Sequence, residues 1–288
     1  MDGSDLKTAL ENAFRLKIRK MRPVGGGDIA RAYLLDTARG PVFAKLLEKA
    51  EGLDMLMAEK EGLIAISQTN TLSVPEVLGC ERTESGSCLL LEYIPAGAES
   101  RSSSEDLGRG LARMHQVAGP SFGWHQPNYI GRLPQENSET RDWASFYVNR
   151  RLIPQYEMAR SGRLLSPAEI PDTALMASRV SCFVADVRPS LLHGDLWGGN
   201  YLISTHGTPY LIDPATYYGH SEVDLAMSLL FGGFSKAFYD AYFEIVPKQP
   251  GFELRVKLYQ LYYLLVHLNL FGRSYYSSVR TLSSELFD

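Results

Sequence analysis

Leu191-Leu-His-Gly-Asp195-Leu-Trp-Gly-Gly-Asn200-Tyr-Leu-Ile203, a turn at Thr205-His-Gly-Thr208, and then Pro209-Tyr-Leu-Ile-Asp213 form the stretch that decides the fold. Asn200 follows Asp195 by five positions, and Asp213 follows Asn200 by thirteen. Short apolar runs lie before the first Asp, after the Asn and before the second Asp. This pattern predicts a catalytic loop followed by a β-hairpin. The hairpin would carry Asn200 and Asp213 toward one metal and set Asp195 beside them. A base Asp, a metal-binding Asn and a metal-binding Asp are the parts of a kinase-type phosphotransfer site. Taken singly, each would be an ordinary turn residue. Turn chemistry leaves their joint spacing around two strands unexplained.

Upstream, the chain supplies the other parts in order. Residues 5–19 carry apolar residues at helical spacing. Gly25, Gly26 and Gly27 then lie between β-rich runs. They predict a tight hairpin whose N–H groups can approach phosphates, although the pattern is neither Gly-x-Gly-x-x-Gly nor a Walker loop. Pro41-Val-Phe-Ala-Lys45-Leu-Leu reads as a strand with Phe43, Lys45 and Leu47 on one face. A lysine on that face is costly to bury unless an anion meets it. The next helix, 53–66, has an apolar stripe through Leu56, Leu63 and Ile66, and Glu59 interrupts it. Glu59 is therefore the expected partner of Lys45, while Glu61 should face water. Val74–Cys80 and Cys88–Pro95 read as further strands. The second runs into Ala96-Gly-Ala, so Leu91, Glu92, Tyr93 and Ile94 are assigned to an adenine-binding hinge. The lobe boundary is placed at 96/97.

Downstream, 102–117 reads as a capped amphipathic helix, with His115 structural near its C-terminal end. Residues 119–140 form a long, proline-interrupted loop, a common place for function. Gln135 and Asn137 in it, and Asp142 and Trp143 just after it, are polar and stacking groups suited to a sugar, and Trp197, beside Asp195, is a further candidate contact. Helices are expected at 141–161, 165–187 and 235–271. Ser221 can cap a helix bearing Asp224, a residue placed to buttress the catalytic loop.

Composition bounds the function. The 288 residues are 45% hydrophobic, enough for one bilobal unit of residues 1–96 and 97–288. A net charge of −4 with no basic tail argues against nucleic acid. Three cysteines lack metal-ligand spacing and suggest no disulfide framework. No apolar run approaches the ~20 residues of a membrane span, and no signal-peptide core is evident. A reducing cytoplasm is the expected compartment.

With Lys45, Glu59, Asp195, Asn200 and Asp213 in order, the chain resembles the kinase-like phosphotransferases of small molecules, and most closely the fructosamine (ketosamine) kinase family. Leu192-His-Gly-Asp-Leu-Trp-Gly-Gly-Asn200, Ile212-Asp-Pro-Ala, Tyr217-Tyr-Gly-His-Ser-Glu and Leu230-Phe-Gly-Gly-Phe carry the likeness. The Trp197-Gly-Gly insertion is specific to that family, whereas His-Gly-Asp is shared with aminoglycoside and choline kinases. The resemblance implies an α+β, bilobal protein-kinase-like fold, with a small β-rich N-terminal lobe and a larger, mostly helical C-terminal lobe. It implies ATP and Mg²⁺ as cofactors and the 3-OH of a ketosamine, free or on a protein, as phosphate acceptor. Gly rather than Arg precedes Asp195, and Pro-Ala rather than Phe-Gly follows Asp213. Only ten residues separate Asp213 from Asp224, so no activation segment offers a peptide platform. Competing readings are a kinase of an aminoglycoside, choline or methylthioribose, and a nucleotide-binding pseudokinase.

Overall fold

The computed structural model describes residues 3–25, 30–48, 52–184 and 186–288. The chain begins with α1 (Gly3–Phe14), which stops before Arg15, a residue at φ 50°. The expected helix is therefore shorter than 5–19, and its last residues belong to the first strand. Next come β1 (Ile18–Val24), β2 (Arg31–Thr37), β3 (Gly40–Leu47), α2 (Gly52–Gln68), β4 (Val77–Thr83) and β5 (Gly86–Glu92). The strands form one antiparallel sheet in the order β1-β2-β3-β5-β4. Side-chain alternation divides its two faces. Ala44, Leu46, Cys88 and Leu90 pack with Leu6 and Leu10 of α1. Leu47, Leu89 and Leu91 pack with Leu56 and Leu63 of α2. Lys45 has the parity of Leu47, so strand geometry alone aims it at α2.

Beyond β5 the chain turns helical. Ser100 caps α3 (Arg101–Met114) through a capping box with Ser103. The long loop contains a small hairpin, β6 (Asn128–Ile130) and β7 (Leu133–Gln135), turned at Gly131. Then α4 (Trp143–Tyr147) continues through a π-helical turn, Val148–Leu152, into α5 (Ile153–Ser161). The helix expected over 165–187 is confined to α6 (Thr173–Phe183). Pro167 and Pro171 break helical bonding ahead of it, and Asp172 supplies the cap. Four short strands follow: β8 (Ser190–Leu192), β9 (Tyr201–Ile203), β10 (Pro209–Leu211) and β11 (Tyr217–Gly219). β9 pairs antiparallel with β10, and β8 with β11.

The last quarter holds α7 (Glu222–Phe231), α8 (Lys236–Ile245), α9 (Phe252–Phe271) and α10 (Tyr276–Phe287). The helical segment expected over 235–271 is made of two helices, α8 and α9. Pro247, Pro250 and Gly251, the last at φ 80°, make the break. α9 is the axis of this lobe: Leu258, Tyr259, Leu261, Tyr263, Leu265 and Leu268 are fully buried around its circumference. A buried two-pronged ion pair, Arg255 to Glu222 at 2.7 Å on each prong, fastens α9 to α7. The whole is a bilobal α+β, protein-kinase-like architecture. No helix among the described residues is long and apolar enough to cross a membrane.

Between the sheet and the helical lobe, the linker is fixed to the β9–β10 hairpin. Gly97 N–H donates to Ile203 O (2.7 Å), and Thr205 N–H donates to Pro95 O (2.9 Å). The segment after β5 thus becomes a further edge on the hairpin.

Candidate active site

The catalytic loop, 193–200, is held by backbone groups converging on one carboxylate. Asp224, fully buried in the first turn of α7, accepts from His193 N–H at 2.7 Å and from Gly194 N–H at 2.8 Å. His115 donates to the same carboxylate from Nε2 (3.1 Å) and accepts from the Tyr242 hydroxyl at Nδ1 (2.8 Å). His115 and Asp224 are therefore supports of the loop.

His193 has a role that its sequence position does not predict. Its ring bridges both halves of the site: Nδ1 accepts from Asp195 N–H (3.2 Å), and Nε2 donates to Ile212 O (2.9 Å). Burial lowers its pKa, which favours the neutral ring that this pairing requires. Tyr263 of α9 donates its hydroxyl to Gly194 O at 2.8 Å. Neither role has a spacing signature, because each partner is a backbone atom distant in sequence.

Gly194 explains the departure from Arg. Its φ is +85°, and a Cβ there would lie 2.1 Å from Ala215 O. Ala215 N–H donates to His193 O at 2.8 Å. The loop bearing Asp195 and the segment after Asp213 therefore touch backbone to backbone, which only glycine allows.

Asn200 meets Asp195 directly. Its Nδ2 donates to Asp195 O (2.8 Å) and to Asp195 Oδ2 (3.1 Å), leaving the amide oxygen as a free acceptor. Ile212 N–H donates to Asn200 O at 3.0 Å, which carries Asp213 to the same end of the hairpin. Asp213 sits at φ 53°, a left-handed conformation that Asp tolerates better than most residues.

Across the cleft, Lys45 Nζ lies 2.7 Å from Glu59 Oε2 and 2.9 Å from Asp213 Oδ1. One ammonium thus serves two carboxylates. Burial opposes charge on Lys45, but Glu59 and Asp213 outweigh it and raise its pKa. Burial likewise disfavours charge on Asp213, but Lys45 wins and holds the carboxyl below its ordinary range. Glu59 is the loser in this competition. Burial, reinforced by Asp213, pushes it up to about 7 against the pull of Lys45. Its Oε1 is buried without a partner. Asp195 is also pushed up to about 7, by burial and then by the charge of Asp213, against the Asn200 amide. A carboxylate with its pKa there is matched to proton transfer near neutrality.

The other expected contacts divide. Gly25 follows β1 directly, so the glycine stretch is the β1–β2 connection, while Gly26 and Gly27 lie outside the described residues. Glu92 N–H is taken by Glu76 O (2.8 Å). Past it, Tyr93 and Ile94 leave the sheet and lead into the linker. The Leu91 side chain is committed to the core beneath α2. Glu61 does not simply face water: it accepts from Gln126 and pairs with His125 at 3.2 Å, tying α2 to the long loop.

Four of the five substrate candidates are occupied elsewhere. Asn137 is fully buried, donating to Asn128 Oδ1 and accepting from Arg151. Gln135 donates to the same Asn128 oxygen and accepts from Tyr262. Trp143 is 3% exposed, stacks on Phe146 and donates to Tyr259 OH. Asp142 caps α4 by accepting from Ser145 N–H. These residues fold the lobe around Arg151, a buried cation 4.1 Å from the Tyr217 ring centroid. Polar content in a long loop signalled a network, and sequence could not show whether it turned inward. Trp197 does remain available, 42% exposed two residues past Asp195, with its ring lying across Gly199.

Asn200 Oδ1 and the Asp213 carboxylate are hard oxygen donors. Two such ligands, completed by phosphate oxygens and water, suit Mg²⁺ better than a metal needing a full protein cage.

A sequence profile described as fructosamine kinase matches residues 4–288. The chain is 42% identical over 263 residues to a probable ketoamine kinase of Synechocystis, covering 90% of this chain and 87% of that protein. It is 37% identical over 281 residues to the ketosamine-3-kinase of Mus musculus, covering 88% and 90%. A crystal structure of a putative fructosamine-3-kinase from Haemophilus somnus superposes with a TM-score of 0.88 at 28% identity, over 99% of this chain and 97% of that one.

Proposed function

Because the chain belongs to the fructosamine kinase family, we propose that it transfers the γ-phosphoryl group of ATP to a sugar hydroxyl of a ketosamine, the 3-OH, in protein deglycation. The observation that carries this reading is the meeting of Asp195, Asn200 and Asp213 at one end of a hairpin, opposite the Lys45–Glu59 pair.

In this reading ATP lies between a lobe of residues 1–96 and a lobe of residues 97–288. The adenine edge meets backbone groups of the hinge Leu91–Ile94, where the chain leaves the sheet. Lys45, oriented by Glu59, binds the phosphates, and the glycine stretch that begins at Gly25 supplies further phosphate contacts. Asn200 and Asp213 would hold Mg²⁺, which neutralises phosphate charge when bound. Lys45 now spends one contact on Asp213, and nucleotide phosphates supply the anion that replaces it.

Asp195 accepts the proton of the attacking hydroxyl, with Asn200 Nδ2 fixing the carboxylate's orientation. General-base help of this kind is worth roughly 10²–10⁴-fold. Positioning and electrostatic stabilisation supply the larger share, because the phosphoryl transition state is loose. Trp197 offers a ring face to the sugar beside Asp195.

The test is ADP release in Mg²⁺-ATP with a panel of fructosyl-amines, a glycated protein, an aminoglycoside and choline, with the product's phosphate position read by NMR. Turnover of the fructosyl-amines with a 3-phosphate product supports the reading. Turnover confined to the aminoglycoside or choline refutes the acceptor assignment, and no ADP from any acceptor refutes the kinase assignment.

A further inference from the structure

Phe231 and Phe271 are 42% and 52% exposed, unusual for phenylalanines. They are not scattered. The rings of Phe231, Phe271 and Tyr275 surround the His267 ring, with centroid distances of 4.6, 5.4 and 5.1 Å. The result is a continuous aromatic ridge along the ends of α7 and α9.

Two connections place the ridge at the catalytic loop. On α9, His267 Nδ1 donates to Tyr263 O one turn back, and the Tyr263 hydroxyl holds Gly194, the residue before Asp195. On α7, Phe231 runs into Gly232-Gly233, and Gly233 lies so close to the loop that a Cβ there would come within 2.9 Å of Gly198 Cα. Through Gly232-Gly233 the ridge therefore abuts the catalytic loop at Gly198, three residues from Asp195. Contiguous apolar surface of this kind marks a binding site more often than chance exposure does.

A ketosamine has two unlike halves. The sugar carries the hydroxyl that must reach Asp195. The other half is a secondary amine, protonated near neutrality like other alkylamines, with a hydrocarbon chain beyond it. Ring faces attract such a cation, and ring edges pack the chain. The network around Asn137 and Arg151 is closed and offers the amine half nothing.

We propose that the Phe231–Phe271–Tyr275 ridge is the subsite for the amine half of the ketosamine and selects for amines bearing a long or aromatic apolar chain. This inference rests on the ketosamine reading of the active site and deepens it.

The test compares steady-state kinetics of the full chain and of Phe231→Ala and Phe271→Ala on the fructose adducts of methylamine and 2-phenylethylamine. The wild type should prefer the phenylethyl adduct by about 10-fold in kcat/KM, expressed in KM, and each variant should bring that ratio toward one. Phe271→Trp should restore it, and an unchanged KM for ATP shows the fold intact. A wild type indifferent to the amine, or variants that lose both adducts in equal proportion, overturns the ridge while the ketosamine reading stands. Failure of the wild type to phosphorylate either adduct overturns both.

Discussion

Replacing Asp224 by asparagine removes one charge and one acceptor from the point on which the catalytic loop hangs. The carboxylate takes three hydrogen bonds: Gly194 N–H on Oδ1, and His193 N–H with His115 Nε2–H on Oδ2. An amide can accept on one oxygen only. In its better orientation it keeps the doubly bonded position and turns its NH₂ toward Gly194 N–H. One buried donor is then unpaired, costing roughly 1–3 kcal/mol, and the surviving bonds lose their charge assistance, about 1 kcal/mol more. A loss of roughly 2–4 kcal/mol in a chain of this size lowers the melting temperature by roughly 3–7 °C. Gly194 adjoins Asp195, so the base shifts as well, and a displacement near 1 Å costs on the order of 10²-fold in turnover. Thermal unfolding at pH 7 and steady-state kinetics with a ketosamine check both figures. An Asp224→Asn protein melting within about 2 °C of wild type and turning over normally would refute the claim that this carboxylate suspends the loop.

Gly194→Ala forces a Cβ into Ala215 O and imposes left-handed strain of about 1–2 kcal/mol, so turnover should fall on the order of 10²-fold while ATP still binds; near-normal turnover would show that the backbone contact is dispensable. Asp195→Asn should cost roughly 10²–10⁴-fold in kcat with nucleotide affinity retained by calorimetry, and a variant with ordinary kcat removes Asp195 from the base role. Asp213→Asn should abolish the Mg²⁺-dependent part of ATP affinity; titrations with and without Mg²⁺ that match wild type count against it. For acid stability, burial and then the Arg255 charge depress His220 to about 3, and its Nδ1 accepts from Tyr259 OH. The folded value lies below the unfolded ~6.5, so this contribution is whole above 6.5 and is lost on acidification toward 3, at about 1.4 kcal/mol per pH unit. Thermal unfolding from pH 7 to 4.5 should therefore fall less steeply for His220→Asn, and equal slopes would show that the ring is not held neutral.

Sequence was most legible where side-chain chemistry and strand parity coincide. Lys45 on the Leu47 face and Glu59 on the Leu56–Leu63 stripe meet at 2.7 Å because period-2 and period-3.6 patterns aim them at each other. The Asn200–Asp213 hairpin was equally readable from its spacing. Whether a polar side chain in an irregular loop turns inward is set by distant partners, and so Asn137 and Gln135 were misplaced: Arg151 and Tyr262 decide their orientation. His193 and Tyr263 escaped notice for the complementary reason, since they act on backbone oxygens of Ile212 and Gly194.

The bonds from Pro95 and Gly97 to the β9–β10 hairpin have a mechanical consequence. The strip that would grip the base and the strip that would grip the phosphates are stitched into one stiff beam. If base and metal bind as proposed, these two backbone bonds tie the spacing between their seats to a single hydrogen-bonded unit rather than to the packing of one lobe on the other.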